Sequence, residues 1–221
     1  TYNGTALERS KWFPDEMRDL ASLYQFIFMK YRVLGETVPI NIPLSRSLPS
    51  GLREKHLFEQ QKDLPLSIIA TTRNDNHVEK MKERTQVFID AVYHLAEKHK
   101  RPLELIIVEW NPPENTPSLV NEFTFDEVHE FVTTRIISVS KEIHRQYYLS
   151  SNLPLYQMIA KNIGVRRARG EYIACTNIDV ILSDELFLYI TSGHLADGNI
   201  YRSNRWDVDR NIINCDSVET M

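Results

Sequence analysis

The chain has 221 residues, with 26 lysines and arginines against 30 aspartates and glutamates and a formal charge of −4. That balance argues against a nucleic-acid binder held by phosphate contacts, while 42% hydrophobic and 25% charged residues describe a folded chain. No run approaches the roughly 20 apolar residues of a membrane helix, so no span is expected in this chain.

The chain begins at Thr1, which reads as a processed chain or a fragment. Asn3-Gly4-Thr5 fits a glycosylation sequon; if used, it implies the Golgi or ER lumen, and otherwise the cytoplasm is expected. Two cysteines, Cys175 and Cys215, are too few for a disulfide framework, and Cys175 is expected to pack as a free thiol inside an apolar run. Met17, Leu20, Tyr24, Ile27, Tyr31 and Leu34 share one helix face, with Pro14 in the first turn and Gly35 as the stop. Such a helix packs within its own domain or forms an oligomer seam. Between Gly35 and Pro65 the periodicity is lost, and Pro39, Pro43, Pro49 and Pro65 indicate an extended arm. The expected division is therefore 1–64, an N-terminal helix and arm, and 65–221, a second domain.

From Leu66 onward, apolar runs alternate with helical patterns. Leu66 to Thr72 reads as a buried strand, left by the polar turn Arg73-Asn74-Asp75-Asn76. Met81, Thr85, Phe88, Val92 and Leu95 mark a helix. Leu103 to Val108 is a second strand, ending in Glu109-Trp110-Asn111-Pro112-Pro113, and residues 135–139 a third. Leu155 to Arg169 reads as a helix stopped by Gly170, Tyr172 to Thr176 as a fourth strand, and Ile200 as the start of a short one flanked by Arg202 and Arg205. The fold class is α/β: a mostly parallel, Rossmann-like sheet with helices on both faces. Ligands of such sheets collect at the carboxyl ends of strands, so Thr72, Glu109 and Asp179 are expected to open into one crevice.

The chain has no Gly-x-Gly-x-x-Gly after the first strand, no phosphate loop, no His-Glu-x-x-His and no Gly-x-Ser-x-Gly. Its seven histidines show no metal-ligand spacing and read as structural or solvated. Ser183 with Asp184 and Glu185 supplies a helix N-cap and an acidic first turn, which leaves Asp179 without a capping role. Lys161, Arg166, Arg167 and Arg169 form a basic cluster, with Arg169 assigned to the helix dipole.

Three segments follow one another: Ala160-Lys161-Asn162-Ile163-Gly164, Ala168-Arg169-Gly170-Glu171-Tyr172-Ile173 and Asn177-Ile178-Asp179. In order and spacing they resemble the Ala-Arg-Asn-x-Gly, Ala-x-Gly-Glu-Tyr-Ile and Asp-x-Asp sequence of family 2 nucleotide-sugar glycosyltransferases with the GT-A fold. The layout extends over about residues 65–205, and its specific part is 160–179. The resemblance implies metal-assisted, inverting transfer of a sugar from a nucleoside diphosphate to an unidentified glycan, lipid or protein acceptor. It implies a donor site of Thr72, Arg73, Asn74, Glu109, Lys161, Asn162 and Asn177, with Glu109 toward the nucleoside. Asp179 holds the position of a ligand to Mn²⁺ or Mg²⁺.

Asn177 stands where the family has the first Asp, so its amide would take the ribose hydroxyl with less charge near a metal. Only 42 residues follow Asp179, which implies a shortened acceptor half. The base then falls to Asp207 or Asp209 or is missing from this chain, with Asp207 favoured of the two because Trp206 beside it could form an apolar wall that raises a carboxyl pKa. The alternative is a non-catalytic GT-A-like subunit or scaffold with a degenerate nucleotide pocket.

Overall fold

The structure, a computed structural model, describes residues 52–56, 64–75, 78–126, 129–147, 149–196 and 198–208. The chain divides into two compact units, Thr1–Arg46 and Ser47–Met221, and every described residue belongs to the second. The helix read at 14–34, most of the proline-rich arm, the Asn3 sequon, Cys215 and Asp209 lie outside the described residues.

Among the described residues, β1 (Leu52–His56), β2 (Leu66–Thr72), β3 (Leu103–Trp110), β4 (Val132–Val139) and β5 (Tyr172–Cys175) form one sheet in the order β1-β4-β3-β2-β5. The last four strands are parallel, and β1 pairs antiparallel with β4 at one edge. The α/β, Rossmann-like reading holds. β1 lies within the stretch read as an arm; its sequence, Leu-Arg-Glu-Lys-His, has no apolar alternation by which periodicity could mark it.

Helices α1 (Met81–His99), α2 (Leu119–Glu122), α3 (Lys141–His144), α4 (Gln157–Val165) and α5 (Asp184–Thr191) connect and cover the strands. Phe88, Ile89, Val92 and Leu95 of α1 pack with Phe187 of α5 on Leu66, Ile68, Leu105 and Ile107. Ala160 and Ile163 of α4 pack on Ile69, Ile106, Val108 and Trp110 from the other face. Covered on both faces, β2 and β3 are buried along their whole length, as parallel strands usually are. Each large apolar side chain in these layers contributes about 1.5–3 kcal/mol relative to exposure. β5 is an edge strand whose residues alternate between half-buried and exposed, so Cys175 is exposed rather than packed inside.

The helix read as Leu155 to Arg169 ends at Val165. The chain beyond it is drawn to the amino ends of the strands by a buried ion pair. Arg135 on β4 lies 2.5 Å from Glu104 on β3, with 3% and 0% of their side chains exposed. The Ser67 hydroxyl and the Arg169 N–H donate to the other Glu104 oxygen, at 2.7 and 2.9 Å. Arg135 also donates to the Arg167 carbonyl, at 2.7 Å, and the Gly170 N–H donates to Ser67 Oγ, at 2.8 Å. Gly170 is therefore not a helix stop. A Cβ there would lie 2.4 Å from the Ser67 nitrogen and 2.5 Å from the Leu66 carbonyl carbon, so only glycine permits this approach. The helix-end role assigned to Arg169 falls to Arg167, whose guanidinium donates to the Ile163 carbonyl at 3.2 Å.

Removing one member of this pair leaves a charge buried and unpaired. Arg135→Met should lower the free energy of unfolding by about 3–5 kcal/mol, and Glu104→Leu combined with Arg135→Met should recover most of that loss. Urea unfolding of the two variants checks both, and an unchanged midpoint for the single variant would remove the network's structural role.

Candidate functional site

The chain passes from β2 through α1 to β3 on one side, and returns from β4 through α4 to β5 on the other side of β2. The winding therefore reverses between β2 and β5, and the carboxyl ends of these two strands form the crevice where such sheets bind ligands. The Thr176 N–H continues the pairing by donating to the Ile69 carbonyl at 3.0 Å, and Asn177 follows at the mouth.

Asn177 Oδ1 accepts two hydrogen bonds, from Gln157 Nε2 and Lys161 Nζ, both at 3.0 Å. Gln157 and Lys161 are four residues apart on α4 and so share one of its faces. Ile178 is anchored in the α1-side core at 2% exposure. Asp179 lies toward α1, its carboxylate 3.5 Å from Arg84 Nη1 and its side chain 34% exposed. Ser183 Oγ accepts the Leu186 N–H at 3.3 Å, so α5 is capped without Asp179, as the sequence indicates.

The β2 end is held differently. Arg73 Nε donates to the Asn111 carbonyl at 3.0 Å and Nη1 meets Asp75 at 2.7 Å. The Asn74 N–H donates to Thr72 Oγ1 at 3.1 Å, and its side-chain amide donates to the Pro117 carbonyl at 3.0 Å. Asn74 and Asn111 hold φ of 57° and 48°, in the left-handed region that asparagine tolerates. Thr72 and Asn74 are thus buried in internal hydrogen bonds.

Thr72, Glu109 and Ser138 form one row across β2, β3 and β4. Ser138 Oγ donates to Glu109 Oε2 at 2.8 Å. Burial pushes the Glu109 carboxyl above its ordinary range, and the Ser138 hydroxyl and Leu119 N–H pull it partly back. The expectation of one crevice shared by Thr72, Glu109 and Asp179 is corrected here: Thr72 and Glu109 are only 5% and 2% exposed. The cause is the segment leading to α2, which folds over the β3 end and buries Leu119 in the core.

Lys161 and Asn177 are brought together, and Asn162 is exposed on α4. Asp207 is 87% exposed and lies 3.2 Å from Arg205 Nε. Trp206 is itself 88% exposed and builds no apolar wall, and no strand begins at Ile200. Both readings fail because 198–208 makes no sheet pairing that would hold it against the core.

Among the described residues, no group of three or more His, Cys, Asp or Glu side chains converges. The carbonyl oxygen of an asparagine has two lone pairs, and at Asn177 two N–H donors occupy them. Asp179 is the other ligand that the resemblance supplies, and it faces a guanidinium. As placed, Asn177 has no free lone pair for a cation, and Asp179 turns one carboxylate oxygen to Arg84.

Gln157, Arg84 and Ser138 were not legible as site residues. The four-residue spacing from Gln157 to Lys161 was available as a signal, whereas Arg84 and Ser138 acquire their partners only through the fold. Comparison with family models, with characterised proteins and with solved structures found no match.

A carboxyl whose folded pKa is raised stabilises the fold fully below its unfolded pKa and loses that contribution as pH rises through the folded value. Wild type should therefore lose stability relative to Glu109→Gln as pH rises above the ordinary carboxyl value of 4.5. Thermal midpoints of the two proteins across acid to neutral pH provide the check, and parallel curves would place the ionised Glu109 in a solvated setting.

Proposed function

We propose that this unit binds a nucleoside diphosphate sugar at the β2–β5 crevice and transfers the sugar to an acceptor hydroxyl. The observation that supports this reading is the course of residues 160–179. The run that resembles the glycosyltransferases passes through α4, the Gly170 approach and β5 to Asn177 and Asp179, and Lys161 meets Asn177 at the reversal of winding. Asp179 accepts hydrogen bonds from donor hydroxyls, and Lys161 lies within reach of the same mouth.

In the reaction the acceptor oxygen bonds to the anomeric carbon as the bond from that carbon to phosphate oxygen breaks. The nucleoside diphosphate leaves with the electron pair, and a carboxylate takes the acceptor proton. Asp207, exposed beside Arg205, and Asp209 are the candidate bases that the resemblance leaves. The non-catalytic subunit is kept as the second reading because Glu109 is closed over and Asn177 stands in place of an aspartate.

Titration calorimetry with uridine and guanosine diphosphate sugars should show binding, and incubation with a carbohydrate acceptor panel should release the nucleoside diphosphate. Asp179→Asn should weaken donor binding about 10- to 100-fold through loss of charged hydrogen bonds. Its thermal midpoint should stay nearly unchanged, since a half-exposed ion pair contributes about 0–1 kcal/mol. No nucleotide binding and no nucleoside diphosphate release would leave the scaffold reading in place.

A further inference from the structure

We infer that the diphosphate is bound without a divalent cation, its charge met by the Lys161 ammonium. This inference rests on the donor-site reading and concerns how that site handles charge. Three observations lead to it.

The first is the identity of residue 177. An aspartate there would form an ion pair with Lys161 and neutralise it. The amide of Asn177 instead accepts one Lys161 N–H at 3.0 Å and positions the ammonium while leaving its charge intact. An ammonium has three N–H donors, so two remain for phosphate oxygens. The same contact fills a lone pair that a metal would need, and Gln157 fills the other.

The second is the balance at Asp179. Its carboxylate faces Arg84, so the cation already beside it belongs to the protein. The third is the amino end of α4. There the Asn177 and Gln157 contact lies on the first turns of α4. The first turn of α4 has no side-chain cap on its N–H groups, and a helix amino end favours an anion. Lys161 and the uncapped turn both favour phosphate oxygens over a metal ion.

Calorimetry of the full chain with uridine and guanosine diphosphates, once with chelator and once with Mn²⁺, tests this. The expected dissociation constants agree within about threefold under the two conditions. Lys161→Met should weaken binding in chelator by about tenfold or more, and Lys161→Arg should retain it, as for a charged hydrogen bond to phosphate. Asn177→Asp neutralises Lys161 and adds a carboxylate, so it should lose affinity in chelator and regain it with Mn²⁺. Thermal midpoints separate these effects from misfolding. Tightening of the wild-type chain by about tenfold or more on adding Mn²⁺ would overturn the metal-free inference while sustaining the donor site. Absence of binding under both conditions would overturn the two together.

Discussion

The buried pair of Glu104 and Arg135 governs where the functional end of this sheet can be. Two charges out of water are tolerable only when their remaining donors and acceptors are satisfied. Here the Ser67 hydroxyl and the backbone of residues 167 and 169 do that, and Gly170 closes the contact through Ser67. The segment between α4 and β5 is consequently fixed at the amino ends of β2, β3 and β4. With Leu66 paired to Tyr172 and Ile69 to Cys175, the register of β5 follows, and so does the emergence of Asn177 and Asp179 at the opposite end. A charge network distant from the crevice thus determines its geometry.

The two halves of the strand-end surface have become chemically different. Over β3 and β4, the row of Thr72, Glu109 and Ser138 is sealed under the chain that leads into α2, and its carboxyl is kept from water. Over β5, Lys161, Asn177 and Asp179 keep partial access to solvent, and each charge has a partner or a positioning contact. The first group is closed to solvent and the second is not.

The core strands were legible because strands covered on both faces must be apolar throughout, and Leu66 to Thr72 announces itself in that way. The run 160–179 was legible because its spacing is carried in one contiguous stretch. The end of α4 was not, since Arg166 to Arg169 suit a helix locally and only the burial of Glu104, 65 residues before Arg169, draws them out of it. Glu109 shows the same limit. Its place after a buried strand was evident, but its closure depends on Pro117, Leu119 and Ser138 arriving from two other elements. Asp207 was read from its neighbour Trp206, and adjacency in sequence says nothing about whether either side chain meets the core.

The contact between Gly170 and Ser67 joins residues 103 positions apart, whereas Ser67 and Glu104 are separated by 37 and Glu104 and Arg135 by 31. Closing a longer loop costs more chain entropy, and contacts remote in sequence slow folding. The β2–β3–β4 layer can assemble from its nearer pairings, but β5 has nothing to align against until that layer and its charged pair exist. The crevice thus rests on the contact that spans the longest stretch of chain among these three.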